Sequence, residues 1–230
     1  MRMSRATRKL TAVGVAGAAA AGSLLMATPA LAATAYPTSL GESVPSVGTY
    51  GAAANVRGHL SLQGTPFALS GENVSLYARP TGSTTWTKVA THSTDIHGNV
   101  AFLIKPVRAE QYQLRHAKDS YTAASTSQTL TSKVAWRVQV TLSKAKVAPK
   151  ATDSIAATVA PGAKGAVVTL QRKGSSGWVN VTSRTLNSSS ATSFAFAAPA
   201  TAGKYSYRVV KPASSAYVAG ASATVVVTVS

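Results

Sequence analysis

Few residues of this 230-residue chain could do chemistry, and none of them is a cysteine. The candidates are six carboxylates (Glu42, Glu72, Asp95, Glu110, Asp119 and Asp153), four histidines (His59, His92, His97 and His116) and three tryptophans. Two carboxylates facing each other across a cleft could cleave a glycosidic bond. However, Asp95 precedes Gly98 in an expected hairpin, Asp119 falls in an expected turn, and Asp153 is the lone acid of the second half. Turn chemistry accounts for such residues without catalysis. His92, Asp95 and His97 could supply two imidazoles and a carboxylate to a metal, which needs three or four converging ligands and a supporting shell. Alternation along a hairpin sends neighbouring side chains to opposite faces, which works against convergence. No nucleophile elbow, zinc-protease pair or phosphate loop occurs. The sequence therefore predicts a non-enzymatic protein with no catalytic residue, no metal and no cofactor.

Binding chemistry is better represented. Trp86 and Trp178 each follow a loop rich in small polar residues. An exposed indole can stack on the apolar face of a sugar, making the pair a candidate carbohydrate site. A ring so placed can equally act as a lid over its own hairpin. Charge offers a second route. Without Arg2, Arg5, Arg8 and Lys9, 19 Lys and Arg face six acids, a formal +13. Residues 33–133 carry +3 of it, and the rest of the chain +10. Lys144, Lys146, Lys150, Lys164, Arg172 and Lys173 open that basic half and form a candidate polyanion site. The expected partners are an anionic cell-wall polymer, a polysaccharide or a surface protein. Sequence-specific nucleic-acid recognition lacks a motif.

These residues must be positioned by strands. Val, Leu, Thr and Tyr alternate in segments about ten residues apart, bounded by Gly, Pro, Ser and Asn, and no segment sustains a helical period. The segments predicted as strands run over 56–62, 73–78, 86–91, 100–104, 111–116 and 127–134, then over 136–142, 154–159, 167–172, 178–184, 192–197, 205–210 and 223–229. Period two puts Tyr112, Leu114 and His116 on one inward face, and Tyr205, Tyr207 and Val209 on another. It also turns Trp86 away from Val89, and Trp178 away from Val179 and Val181. Ahead of all this, four cations, an Ala-rich apolar stretch and Ala30-Leu31-Ala32 read as an export signal over residues 1–32. Secretion follows, with possible non-covalent retention at the envelope and no transmembrane anchor.

The segments fall into two similar halves. Val74-Ser-Leu76, Trp86, Phe102, Tyr112 and Arg115 are answered 92 to 94 positions later by Val168-Thr-Leu170, Trp178, Phe194, Tyr205 and Arg208. That period fits one small β-sandwich. The halves are expected at 33–134 and 135–230. With no Pro, Gly or Ser run between Leu130 and Leu142, they should form a semi-rigid rod with Trp136 at the joint. Trp86-Thr-Lys-Val-Ala-Thr91, Gly98-Asn-Val-Ala-Phe102, Tyr112-Gln-Leu-Arg115 and Asp119-Ser-Tyr121 resemble the bacterial Ig-like repeat common in secreted proteins of high-GC Gram-positive bacteria. The second half resembles it more loosely, with Ala191-Thr192 in the place of Gly98-Asn99. The resemblance implies an all-β fold of two tandem immunoglobulin-like β-sandwiches after the signal peptide. It also implies an extracellular, non-catalytic role in adhesion or as an accessory module.

Overall fold

The computed structural model describes residues 34–230. The predicted signal peptide lies outside them. Nine strands come first: β1 (Thr38–Ser43), β2 (Val47–Thr49), β3 (Ala54–Leu62), β4 (Asn73–Pro80), β5 (Thr87–Ser93), β6 (Asn99–Ile104), β7 (Glu110–His116), β8 (Ser125–Thr126) and β9 (Leu130–Ala135). Nine more repeat the pattern: β10 (Arg137–Leu142), β11 (Lys146–Val147), β12 (Thr152–Ala160), β13 (Val167–Lys173), β14 (Trp178–Thr185), β15 (Ala191–Ala197), β16 (Gly203–Lys211), β17 (Gly220–Ala221) and β18 (Val225–Val229). Among the described residues there is no helix, hence none long and apolar enough to cross a membrane.

Each set of nine forms a two-sheet sandwich. In the first, β1-β3-β6 lies opposite β2-β9-β7-β4-β5; in the second, β10-β12-β15 lies opposite β11-β18-β16-β13-β14. A three-stranded sheet against a larger one, with sequence neighbours exchanged between them, is an immunoglobulin-like arrangement. The alternation that predicts the strands also builds the cores. Val56, Phe102, Leu76, Tyr112 and Leu114 point inward in the first sandwich, and Ile155, Phe194, Leu170, Tyr207 and Val209 in the second. Each large apolar side chain removed from water in this way stabilises the fold by roughly 1.5–3 kcal/mol. His116 completes its predicted inward row and is 3% exposed.

Strand register revises two of the sequence correspondences. Leu76 pairs with Leu114 and Leu170 with Val209, so Tyr112 answers Tyr207, and Arg208 stands in the place of Gln113. The sequence match to Tyr205 and Arg208 is two residues out of step. The turn before β6 shifts by one: Leu60 N–H donates to Gly98 C=O, and Val159 N–H to Ser190 C=O. Ser190-Ala191 therefore answers Gly98-Asn99, with Ser190 at φ 57° and Gly98 at φ 73°. Both edge hairpins also contain an irregularity that period two cannot foresee. The β4–β5 register shifts after Leu76 and the β13–β14 register after Leu170, leaving Val89 and Val181 as the extra residues. Both valines are exposed.

Between the sandwiches a single peptide unit is held from both sides. Ala135 C=O accepts from Tyr50 N–H at 3.0 Å, and Trp136 N–H donates to Val218 C=O at 3.2 Å. Trp136 is 8% exposed and packs on Tyr217, with ring centroids 4.6 Å apart. Tyr217 meets Tyr50 edge-on at 6.1 Å, and its hydroxyl donates to Val107 C=O at 3.0 Å. Gly220 is required here, because a Cβ on it would run into the Trp136 carbonyl.

Candidate functional site

Each of the two candidate tryptophans carries an arginine over its ring. Trp86 precedes β5 and Trp178 opens β14, both half-buried on the outer faces of the larger sheets. Across the hairpin from Trp86 stands Arg79, its guanidinium carbon 4.4 Å from the ring centroid. Arg115, from β7, lies 5.6 Å from the same ring and 4.2 Å from Tyr77. In the second sandwich Arg208 is 4.3 Å from the Trp178 centroid, and Lys173, paired with Trp178 in register, is 5.6 Å away. Cation and ring attract through the ring quadrupole, by about 0.5–1 kcal/mol at exposed sites. Neutral glutamines hold the arginines: Arg79 Nε donates to Gln111 Oε1 at 2.8 Å, Arg115 Nε to Gln113 Oε1 at 3.0 Å, and Arg208 Nε to Gln171 Oε1 at 2.8 Å.

Sequence reasoning found the rings and missed Arg79 and Arg115. A signal existed: Tyr77 and Arg79 alternate on one strand, and Gln111, Gln113 and Arg115 on its neighbour, all facing away from the core. The basic residues of the second half do not gather as a group of six. Lys150 and Lys164 flank opposite ends of β12, Lys144 lies in the β10–β11 turn, and Arg172 lies in register with the buried Tyr207. Lys146 and Lys173 do share the outer face of the larger sheet. Lys146 and Lys204 are both in register with Thr228, so they stand on either side of it, and Arg208 continues that face. No acid joins them, because Asp153 is 4% exposed and points inward.

The acids serve structure. Asp95 Oδ1 accepts from His97 and Asn99 N–H at 2.8 and 2.9 Å. The Asn99 bond does most to hold its carboxyl below the usual range. Asp119 Oδ1 accepts from Thr122 and Tyr121 N–H, and these bonds lower its pKa to about 2. Burial raises the pKa of Glu42, partly offset by the Ser127 hydroxyl, which donates to Glu42 Oε2 at 2.5 Å. His92 Nδ1 is 2.8 Å from Ala101 C=O and its ring stacks on Phe102. Donor atoms of Glu72, His116 and Asp119 lie within 4.8 Å of one another. Both His116 nitrogens are engaged, however, Nδ1 by Asn73 C=O at 3.1 Å and Nε2 by Thr122 Oγ1 at 2.9 Å. Burial and the neighbouring Asp119 raise the Glu72 pKa.

The chain matches no family model and no curated protein. Among solved structures it is similar to a tetra-tandem repeat from the extending region of a large adhesion protein, at 14% identity and TM-score 0.34. That alignment covers 83% of this chain, which spans half the length of the other. It is also similar to the D0–D1 domain of intimin, at 14% identity and TM-score 0.32, covering 83% of this chain and 97% of that one. The human OSCAR ligand-binding domain aligns at 15% identity and TM-score 0.30, over 84% of this chain and all of the other.

Proposed function

We propose that this chain is an extracellular, non-catalytic adhesion or envelope-interaction protein, with modules at 33–134 and 135–230 forming a semi-rigid pair. The second module holds anionic surface polymer. The observation that carries this reading is the outer face of the second larger sheet, where Lys146, Lys204, Arg208 and Lys173 stand with no acid beside them. A one-sign patch raises the local concentration of a polyanion through an attraction that salt screens over roughly 8–10 Å. Trp178, with Arg208 over its ring, belongs to this cationic face, and Trp86 carries Arg79 in the same way on the first sandwich.

Chromatography of the full chain on immobilised polyphosphate and polyuronate, eluted by a salt gradient, tests the reading. Retention at low salt and earlier elution of Lys146→Glu/Lys204→Glu are expected. Passage of the parent chain unretained, or elution of the variant at the parental salt concentration, would sink it.

A further inference from the structure

The first sandwich carries two arginines that are held in place and given no counter-charge. Arg79 and Arg115 are half-buried on the outer face of β4 and β7, each fixed at Nε by a glutamine carbonyl. Each also lies over an aromatic ring, Arg79 over Trp86 and Arg115 over Tyr77. Because both approach Trp86, their guanidinium carbons are within about 10 Å of each other. Among the described residues no protein group accepts from their terminal nitrogens. The contrast within the same sandwich is Arg108, whose Nε meets the Glu110 carboxylate at 3.1 Å. A carboxylate there cancels the charge, whereas a glutamine fixes the side chain and leaves the charge whole.

The arrangement differs in kind from a lysine patch. A lysine ammonium is a mobile point charge, but guanidinium is a planar fork whose two terminal nitrogens can grip two oxygens of one oxyanion. Ordering a long side chain on binding costs conformational entropy, and here the glutamine and the ring have already ordered it. Lys88, in register with Tyr77, adds charge to the same face. The outward residues of β4 and β7 include Ser75, Tyr77, Arg79, Gln111, Gln113 and Arg115, and none is acidic. In the second sandwich Arg208 alone is fixed in this way, with Lys173 as the other cation near Trp178.

We infer that Arg79 and Arg115 form a two-point oxyanion site beside Trp86, in which each guanidinium binds one phosphate, sulfate or carboxylate group of a chain-like ligand end-on. The choice of a chain-like ligand rests on the anionic-polymer reading; the geometry stands apart from it. The test is titration of the full chain with tripolyphosphate and, separately, with a trimeric uronate, followed by NMR of the arginine Nε–H and tryptophan indole signals. Saturable shifts at Arg79, Arg115 and Trp86 are expected. Arg115→Lys, which keeps the charge, should weaken binding at least about tenfold. Gln113→Glu should weaken it comparably by pairing the guanidinium, while leaving the thermal midpoint equal or higher, which excludes misfolding as the cause. A response to tripolyphosphate alone assigns the site to phosphate or sulfate, and a response to both probes to oxyanions in general. Parental affinity in Arg115→Lys, or shifts spread evenly over the lysines, would overturn the site. Persistence of the Arg115 response in a chain that fails to bind the polymer columns would overturn the polymer reading and leave the arginine site standing.

Discussion

The two sandwiches share a frame and close their leading ends in opposite ways. In the first, where Thr38 begins β1, the end is sealed by polar groups that satisfy one another. Thr38 Oγ1 donates to Ser125 Oγ at 2.7 Å, and His116 Nε2 pairs with Thr122 Oγ1. In the second, register puts Trp136, Gly220, Lys211 and Tyr217 at those four places. The Lys211 ammonium sits 4.9 Å from the Trp136 ring, and Tyr217 reaches the preceding sandwich. One frame thus closes its leading end with internally paired buried polar groups in the first sandwich, and forms the joint in the second, where aromatic rings replace them.

Exchanging residues between the halves tests that statement. The largest effect is expected from Gly220→Ser, which imports Ser125 into the joint. Its Cβ meets the Trp136 backbone, and overpacking of this kind costs about 1–3 kcal/mol, read as a lower urea midpoint. The reciprocal Ser125→Gly should cost less. Next is Glu42→Val, which imports Val140. Glu42 Oε1 is buried without a partner, while the Ser127 hydroxyl keeps a second acceptor in Gln128 C=O at 3.0 Å. A gain of about 1 kcal/mol at pH 7 is expected. The pH dependence has a definite sign. Because burial raises the folded-state pKa of Glu42 above 4.5, its contribution is greatest below pH 4.5 and is lost as pH rises through the folded value. Urea titrations should show a smaller limb of this sign in Glu42→Val than in the parent, the part from the raised Glu72 pKa remaining.

Smaller still is Lys150→Gly. Lys150 has φ 61° and answers Gly51 at φ 63°, so glycine relieves left-handed strain and should stabilise by about 0.4–1 kcal/mol. The last exchange, Asp119→Ser, imports the role of Ser214, whose Oγ accepts from Tyr217 N–H. Asp119 contributes stability above pH 3.8 that is lost as pH falls towards its folded value of about 2. The variant should show a smaller acid limb, the part from Asp95 remaining. An unchanged acid limb would mean that the loop is held by backbone bonds alone.

Much of the frame was legible because alternation reports a buried face directly, as in Tyr112, Leu114 and His116. The first strand was not, since Thr38-Ser-Leu-Gly41-Glu-Ser has one strongly apolar residue and a mid-strand glycine. Neither were β2 and β11, which are three and two residues long and make parallel pairs that no hairpin turn announces. Tyr205 and Tyr207 lie two apart, so both satisfy the same period, and only the pairing of β16 with β13 separates them. The tryptophans stood out by rarity. Their arginine partners did not, because a cation–ring contact across strands depends on register, and register depends on the edge bulges.

The parallel pairs have a mechanical consequence. β2 runs alongside β9, and β11 alongside β18, each joining the entry of a sandwich to its exit strand. Tension applied at the two chain ends pulls such neighbours past each other, so their hydrogen bonds are loaded together in shear instead of peeling one by one. Under such tension the fold is held by the few residues that its sequence advertises least.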